Sequence, residues 1–310
     1  MSPAAPTRIG LVGAGHWAEV SHAPMHLAGE ETTLVGVWSP TFDHASGLAG
    51  RLGVAAYRSY DDLLASVDAV DFAIAPAAQG ALAVEAARAG RPMILEKPLA
   101  DSFAWAERLA LAVHDAGVAS LVVFTNRYHP RARQFLAAVS DLETRGALLA
   151  VTGRYVGSRR HRPEQQSGWR GDLGVLSDFG PHLFDLVLAA AGPIVSVSAA
   201  SNRPGVVQLT TEHASGCRSQ LLVSDQVGVD GALVDLEVYG IAGHLSFSTA
   251  GMDYTAVWPE VRREFFAAVS HGTSPTADVD GGLRVQRVID AAARSLRQDR
   301  PVATDTISAS

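Results

Sequence analysis

Thr7-Arg8-Ile9-Gly10-Leu11-Val12-Gly13-Ala14-Gly15-His16-Trp17-Ala18 decides how this chain begins. A short apolar run of strand type ends in a glycine turn matching G-x-G-x-x-G/A, with small Ala18 at the last position. In that pattern the first glycine permits a tight turn and the second lets backbone approach a pyrophosphate. A small third residue lets helix and strand pack closely. The following helix, expected from about Trp17 to Ala28, would aim unpaired N–H groups and a positive dipole end at phosphates. A β-branched strand, Thr32 to Trp38, comes next, so the strand–turn–helix–strand context is present. The turn therefore reads as a dinucleotide site.

Outward from it, strands and helices keep alternating. Helices are expected over Ala45–Leu52, Tyr60–Ser66, Ala81–Ala89 and Phe103–Ala116, and strands over Ala69–Ala75, Pro92–Leu95 and Ala119–Phe124. Crossover helices between strands imply a parallel sheet covered on both faces, a doubly wound Rossmann domain over residues 1–125. From Asn126 the pattern changes. A helix at Arg131–Ser140 precedes strand-like runs at Ala147–Val156, Ile194–Ala200, Val206–Glu212, Arg218–Ser224, Val234–Tyr239 and His244–Ser248. Turn signals such as Ala214-Ser215-Gly216 separate several of them, which reads as antiparallel hairpins. Helices are expected near Pro181–Ala191, Val261–Ser270 and Gly281–Arg297. Residues 126–310 thus read as an α+β domain with an open, mainly antiparallel sheet, its last helix free to pack back on the first domain.

Composition narrows the function classes. The chain has 310 residues, 47% apolar and 18% charged, with a net charge of −7, so it is neither disordered nor built to neutralise nucleic-acid phosphates. The longest uncharged run, Leu186 to Asn202, is broken by Gly192-Pro193, and the amino terminus lacks a signal-peptide core. No membrane partner is expected. The single Cys217 excludes an internal disulfide framework and suits a reducing, cytoplasmic setting. His16, His22 and His26 show no metal-ligand spacing, and no metal is expected.

The 25 basic residues include one lysine only, Lys97. Arginine stays protonated, whereas a lysine can share a proton, so this position is a candidate for proton chemistry. It stands in Glu96-Lys97-Pro98, directly after a strand, at the sheet edge where doubly wound folds bind ligands. A second constellation, Asp178-Phe179-Gly180-Pro181-His182, opens a helix, with Asp178 expected at or near the cap, His182 in the first turn and Asp185 one turn on. The positive helix end disfavours imidazolium, which suits His182 to the work of a base.

For the cofactor, the carboxylate that usually holds the ribose 2′-OH of NAD is missing from the end of the second strand. Ser39-Pro40-Thr41 stands there, and Asp43 comes later. Ser39 and Thr41 can donate to a 2′-phosphate, so between NADP and NAD the reading leans to NADP, although no arginine follows directly.

Together these residues resemble the Gfo/Idh/MocA oxidoreductases, through the turn Gly13–Ala18, Glu96-Lys97-Pro98 and Asp178 to His182. Trp169-Arg170, Asn126-Arg127-Tyr128 and the stretch from Phe265 to Leu296 are similar as well. The resemblance implies a Rossmann domain, a substrate domain with an open sheet, and NAD(P)-dependent oxidation or reduction of sugars, polyols and related molecules. It implies that His182 takes a hydroxyl proton, that Lys97 hydrogen-bonds the reacting oxygen, and that Asp178 orients substrate or histidine. Gly13, Ala14, Gly15, His16, Trp17, Ser39, Thr41, Pro76, Glu96 and Lys97 would then meet the cofactor. Asn126, Arg127, Tyr128, Trp169, Arg170, Asp178 and His182 would meet the substrate. It also implies a homodimer or homotetramer, since an uncovered apolar sheet face is a liability in a monomer.

The sequence departs from the family's pattern in three places. Gln79 stands where a histidine is usual after Pro76, Asp172-Leu173 replaces two glycines, and the second domain is short. Two other classes share the scaffold. A glycosidase would use NAD transiently without net reduction, and a nucleotide-sensing binding protein would need neither Lys97 nor His182. Arg159-Arg160-His161-Arg162 reads as a solvated loop, and Cys217 as an inert small hydrophobe.

Overall fold

A computed structural model describes residues 5–161 and 169–304. The chain divides into two compact units, residues 1–123 with 254–283, and residues 124–253 with 284–310.

The first unit is a six-stranded parallel sheet. In chain order it runs β1 (Thr7–Val12), α1 (Ala23–Leu27), β2 (Thr32–Trp38), α2 (Phe42–Leu52), β3 (Ala55–Tyr57), α3 (Tyr60–Ser66), β4 (Ala69–Phe72), α4 (Pro76–Arg88), β5 (Met93–Leu95), α5 (Phe103–Ala116) and β6 (Ser120–Val122). Strand order is β3-β2-β1-β4-β5-β6, with the order reversing between β1 and β4, the switch point at which doubly wound sheets bind ligands. In the central strands Ile9, Leu11, Val12, Val70, Phe72, Met93, Ile94 and Leu95 are buried, as a sheet covered on both faces requires.

Local chemistry sets most boundaries. Ser59 and Ser102 cap α3 and α5 by accepting the N–H groups of Asp62 and Trp105. Gly117 ends α5 at φ 62°, a conformation that costs glycine nothing. Pro76 is the first residue of α4, so this helix starts earlier than expected; the ring pre-sets the helical φ and lacks the N–H that would be orphaned there. The single helix expected over Trp17–Ala28 is instead a π-turn, Ala18–His22, followed by α1. Pro24 cannot donate to a continuing α ladder, and the wider turn buries Ser21 and His22. β3 escaped the sequence reading because its three residues show no resolvable period.

In the second unit come α6 (Thr125–Tyr128), α7 (Pro130–Thr144), β7 (Leu148–Gly157), α8 (Trp169–Asp178), α9 (Gly180–Ala191), β8 (Ile194–Arg203), β9 (Val206–His213), β10 (Arg218–Ser224), β11 (Ala232–Gly240) and β12 (Gly243–Ser248). The remaining elements are α10 (Val257–His271), in the first unit, α11 (Val279–Gln298), whose residues from Arg284 count with the second, and β13 (Val302–Ala303). The second sheet is seven-stranded, in order β12-β11-β7-β10-β9-β8-β13. It is antiparallel except for the parallel pair β7–β10. β9 alternates strictly: Val207, Leu209, Thr211 and His213 are buried while Gln208, Thr210 and Glu212 are exposed.

The exposed face differs from the apolar one that the sequence reading assumed. It presents Thr152, Arg154, Gln208, Thr210, Gln220, Asp235, Glu237 and Ser246 around a broad concavity, and cross-strand pairs such as Arg154 with Asp235 hold it together. Hydrophobic exposure therefore supplies no argument for association through this face. Among the described residues, no helix is long and apolar enough to cross a membrane.

Candidate active site

The glycine turn sits at the carboxyl end of β1, where Gly13 N–H donates to the Trp38 carbonyl at 2.8 Å. Gly13 has φ 123°, and a Cβ there would lie 2.5 Å from the Ala73 carbonyl oxygen, so only glycine fits. At Gly15 a Cβ would meet no protein atom within 4 Å. One glycine is thus demanded by the chain itself, while the other leaves open space at the head of a helix. That division suits a turn built for close approach by a pyrophosphate.

Glu96 follows β5, and Gln79 holds it there. The Gln79 side chain accepts the Glu96 N–H at 2.9 Å and donates to the Glu96 carbonyl at 2.7 Å and the Leu99 carbonyl at 3.0 Å. The Glu96 carboxylate accepts the Trp17 indole N–H through Oε1 at 2.8 Å and the Lys97 N–H through Oε2 at 3.1 Å. Lys97 precedes a cis peptide to Pro98. The turn residue Trp17 and the sole lysine are thus tied to one carboxylate.

Behind Glu96 lies a cluster that the sequence reading missed. His22, fully buried, faces Asp71 through Nδ1 at 2.9 Å and Glu96 through Nε2 at 3.0 Å, and His26 Nε2 lies 2.9 Å from Asp71. Burial opposes charge on His22, but Asp71 and the hydrogen bonds to Asp71 and Glu96 raise its pKa to about 10. Burial likewise opposes charge on Asp71, yet His22 and His26 hold its carboxyl well below the usual carboxylate range. His22 and His26 do have carboxylate neighbours, from β4 and the end of β5, although sequence spacing gave no sign of them. Their donors are spent on one another, and among the described residues no group of three or more His, Cys, Asp or Glu is arranged to hold a metal ion.

At the end of β2, Ser39 is buried and Thr41 exposed, and the Thr41 side chain makes no capping hydrogen bond to α2. β3 pairs beside β2, with Tyr57 opposite Trp38. The next residue, Arg58, lies with its guanidinium 3.7 Å from the centre of the Phe42 ring, in the first turn of α2. No arginine directly follows β2 in the sequence; Arg58 directly follows β3, the strand paired beside it. His16 is exposed on the turn, Ala14 half-buried, and Pro76 buried at the head of α4.

In the second unit, α8 runs nearly into α9, and the residue at the α9 cap position is Phe179, without a capping side chain. Asp178, expected at or near the cap, stands directly before it. It closes α8 and pairs with Arg159 at 3.3 Å. Arg159 is buried and also pairs with Asp225, which Arg160 Nε contacts at 3.1 Å. Arg159 thus anchors the chain after β7 and, contrary to expectation, is not solvated, while Arg160 is exposed; Arg162 and the His161 side chain lie outside the described residues.

His182 stands in the first turn of α9, edge-on to Tyr155 at 5.8 Å, and Tyr155 stacks on Phe179 at 4.3 Å. One turn on, Asp185 accepts from Arg127 at 3.1 Å. Burial raises the Asp185 pKa to about 7 against the pull of Arg127 and Arg284. Arg127 thus braces α9, Asn126 is buried on α6, and Tyr128 is fully buried in the core instead of lining an open surface. The side chains of Trp169 and Arg170 lie outside the described residues. Cys217 is buried, and burial pushes its thiol pKa up.

Comparison with known proteins now settles the family. The profile described as "Oxidoreductase family, NAD-binding Rossmann fold" matches residues 7–124, and the "GFO/IDH/MocA C-terminal domain" matches residues 136–246. The chain belongs to the Gfo/Idh/MocA oxidoreductase family. As a member, it is similar to D-xylose 1-dehydrogenase (NADP(+)) 2 of Haloferax volcanii, 28% identical over 297 residues, covering 84% of this chain and 89% of that one. It is also similar to UDP-N-acetylglucosamine 3-dehydrogenase of Acidithiobacillus ferrooxidans, 29% identical over 60% of this chain and 54% of that one. Among solved structures, "Levoglucosan dehydrogenase, complex with NADH" shares the fold, with a TM-score of 0.88 at 18% identity, covering 97% of this chain and 100% of that one. This Gfo/Idh/MocA chain is an oxidoreductase of the dehydrogenase and reductase class, and its Rossmann turn fits NAD(P).

Proposed function

We propose that this protein is an NAD(P)-dependent dehydrogenase or reductase that interconverts a hydroxyl and a carbonyl on a sugar, polyol or related small molecule. The observation that carries the reading is the common anchorage of Trp17 and Lys97 on Glu96, which sets the sole lysine beside the glycine turn. Gly13, Ala14, Gly15, His16 and Trp17 would hold the pyrophosphate, and Ser39, Thr41 and Pro76 the adenosine side and the path toward Glu96 and Lys97. A bound nicotinamide supplies the hydride acceptor or donor.

The chain's own residues supply the proton chemistry. In oxidation His182 takes the hydroxyl proton, its ring packed edge-on to Tyr155. Lys97 is the donor for an oxygen on which carbonyl character develops. Asp178, held by Arg159, ends α8 directly before α9, and Arg127, paired with Asp185, braces α9, which carries His182. Asn126, Trp169 and Arg170 complete the substrate set, and the sugars named for the relatives support a sugar-like ligand. Between the cofactors, Arg58 beside Phe42, the absence of a carboxylate at the end of β2 and the NADP(+) of the Haloferax relative favour NADP.

The test is reduced-nicotinamide formation from NAD+ and NADP+ across sugars, inositols and sugar acids, with Lys97→Met beside the native protein. Turnover that the variant lacks supports the reading. Cofactor binding with no turnover on any member of the panel counts against it.

A further inference from the structure

Both ring nitrogens of His22 face carboxylates: Nδ1 lies 2.9 Å from each Asp71 oxygen and Nε2 lies 3.0 Å from Glu96 Oε1. Ionised carboxylates only accept, so a neutral imidazole, with a single N–H, would set an acceptor against an acceptor on one side. Neighbouring groups do not relieve this. The Trp17 indole donates to Glu96 Oε1, the Lys97 N–H donates to Glu96 Oε2, and His26 Nε2 faces Asp71 Oδ2 at 2.9 Å. His26 meets the Thr32 hydroxyl through Nδ1 at 2.9 Å, an arrangement that a neutral ring satisfies. His22 alone needs two N–H groups. The Trp17 and Trp258 rings close round it at 6.3 and 5.8 Å, so Asp71 and Glu96 are the charged groups in contact with it, with His26 behind Asp71.

We propose that His22 is a positioning residue: its imidazolium, wedged between Asp71 on β4 and Glu96 after β5, holds the Glu96 carboxylate as the shared anchor of the Trp17 indole and the Lys97 backbone. The inference rests on the reading of the glycine turn and Lys97 as the cofactor and proton site, and it deepens that reading. Without the second N–H, the Oε1 side of Glu96 keeps only the indole, and the turn and the lysine lose their common reference. The charge of His22 is buried because its task is to orient a carboxylate that itself orients the site.

The experiment is nitrogen-15 NMR on the full chain, native, His22→Gln and His22→Gln with Asp71→Asn, without nucleotide and then with NAD+ or NADP+. In the native protein the His22 ring should keep its two-N–H signature from pH 6 to about 9. In the variants the Trp17 indole N–H and Lys97 amide should exchange about tenfold faster or more while β1 amides stay protected, and NAD(P)+ should bind about tenfold more weakly. The double variant removes the buried anion with the cation, so a folded species is available should the single variant fail to fold. A one-N–H signature at pH 7 overturns the proposal, as does unchanged exchange at Trp17 and Lys97 in a folded variant. Native protein that binds neither nucleotide would instead overturn the cofactor reading, and the nucleotide-free spectra would still decide the role of His22.

Discussion

The side-chain amide of Gln79 pairs with the backbone of Glu96 in both senses, accepting its N–H at 2.9 Å and donating to its carbonyl at 2.7 Å. A side chain from α4 thus takes the part of a neighbouring strand just where β5 ends. Gln79→Leu would strand a buried N–H and two carbonyls, each costing about 1–3 kcal/mol. The expected loss is about 3–5 kcal/mol in urea unfolding, together with weaker NAD(P)+ binding; an unchanged midpoint would show that the clamp is dispensable.

Gly15 separates stability from binding. A Cβ at this position meets no protein atom within 4 Å, so Gly15→Ala should unfold within about 0.5 kcal/mol of the native protein. If the open space belongs to a pyrophosphate, the same methyl should weaken NAD(P)+ by about tenfold or more. Calorimetric titration showing native affinity would place the nucleotide elsewhere.

Arg58 should govern the choice of nucleotide. A charge-assisted contact to the 2′-phosphate is worth about 1.5–3 kcal/mol, so Arg58→Gln should weaken NADP+ about 10- to 100-fold and leave NAD+ within about twofold. An unchanged ratio of dissociation constants would remove Arg58 from the site.

The buried cluster gives the first unit a signed dependence on pH. His22 is raised from 6.5 to about 10, so its contribution is complete below about 6.5 and disappears as pH rises through 10. Asp71 is lowered, so its contribution is present above the ordinary carboxylate range and is lost on acidification. Breaking a buried pair costs about 3–5 kcal/mol, and the gap in melting temperature between native protein and His22→Gln should be widest near pH 6 and narrow toward pH 10. A gap constant across that range would contradict a charged His22.

What could be read from the chain was local. The glycine turn, the alternation of strands and helices and the six main strands of the second sheet all rest on short-range chemistry. What could not be read depends on pairing across the sheet. β3 is three residues long, and only its place beside β2 brings Arg58 over the Phe42 ring. His22 and Asp71 are 49 positions apart, and Arg159 and Asp225 are 66 apart, so spacing carries no trace of either pair. Gln79 stood out only as a departure from the family's pattern, and its hydrogen bonds to Glu96 give that departure a structural use.

The most direct test of the central claim follows the hydrogen itself. A sugar or polyol that turns over, deuterated at the reacting carbinol carbon, would be incubated with oxidised nucleotide and the native protein. The account predicts deuterium in the reduced nicotinamide, one per molecule of carbonyl product, and none with Lys97→Met. Sugar released with no net reduced nucleotide, or a label found only in water, would contradict it.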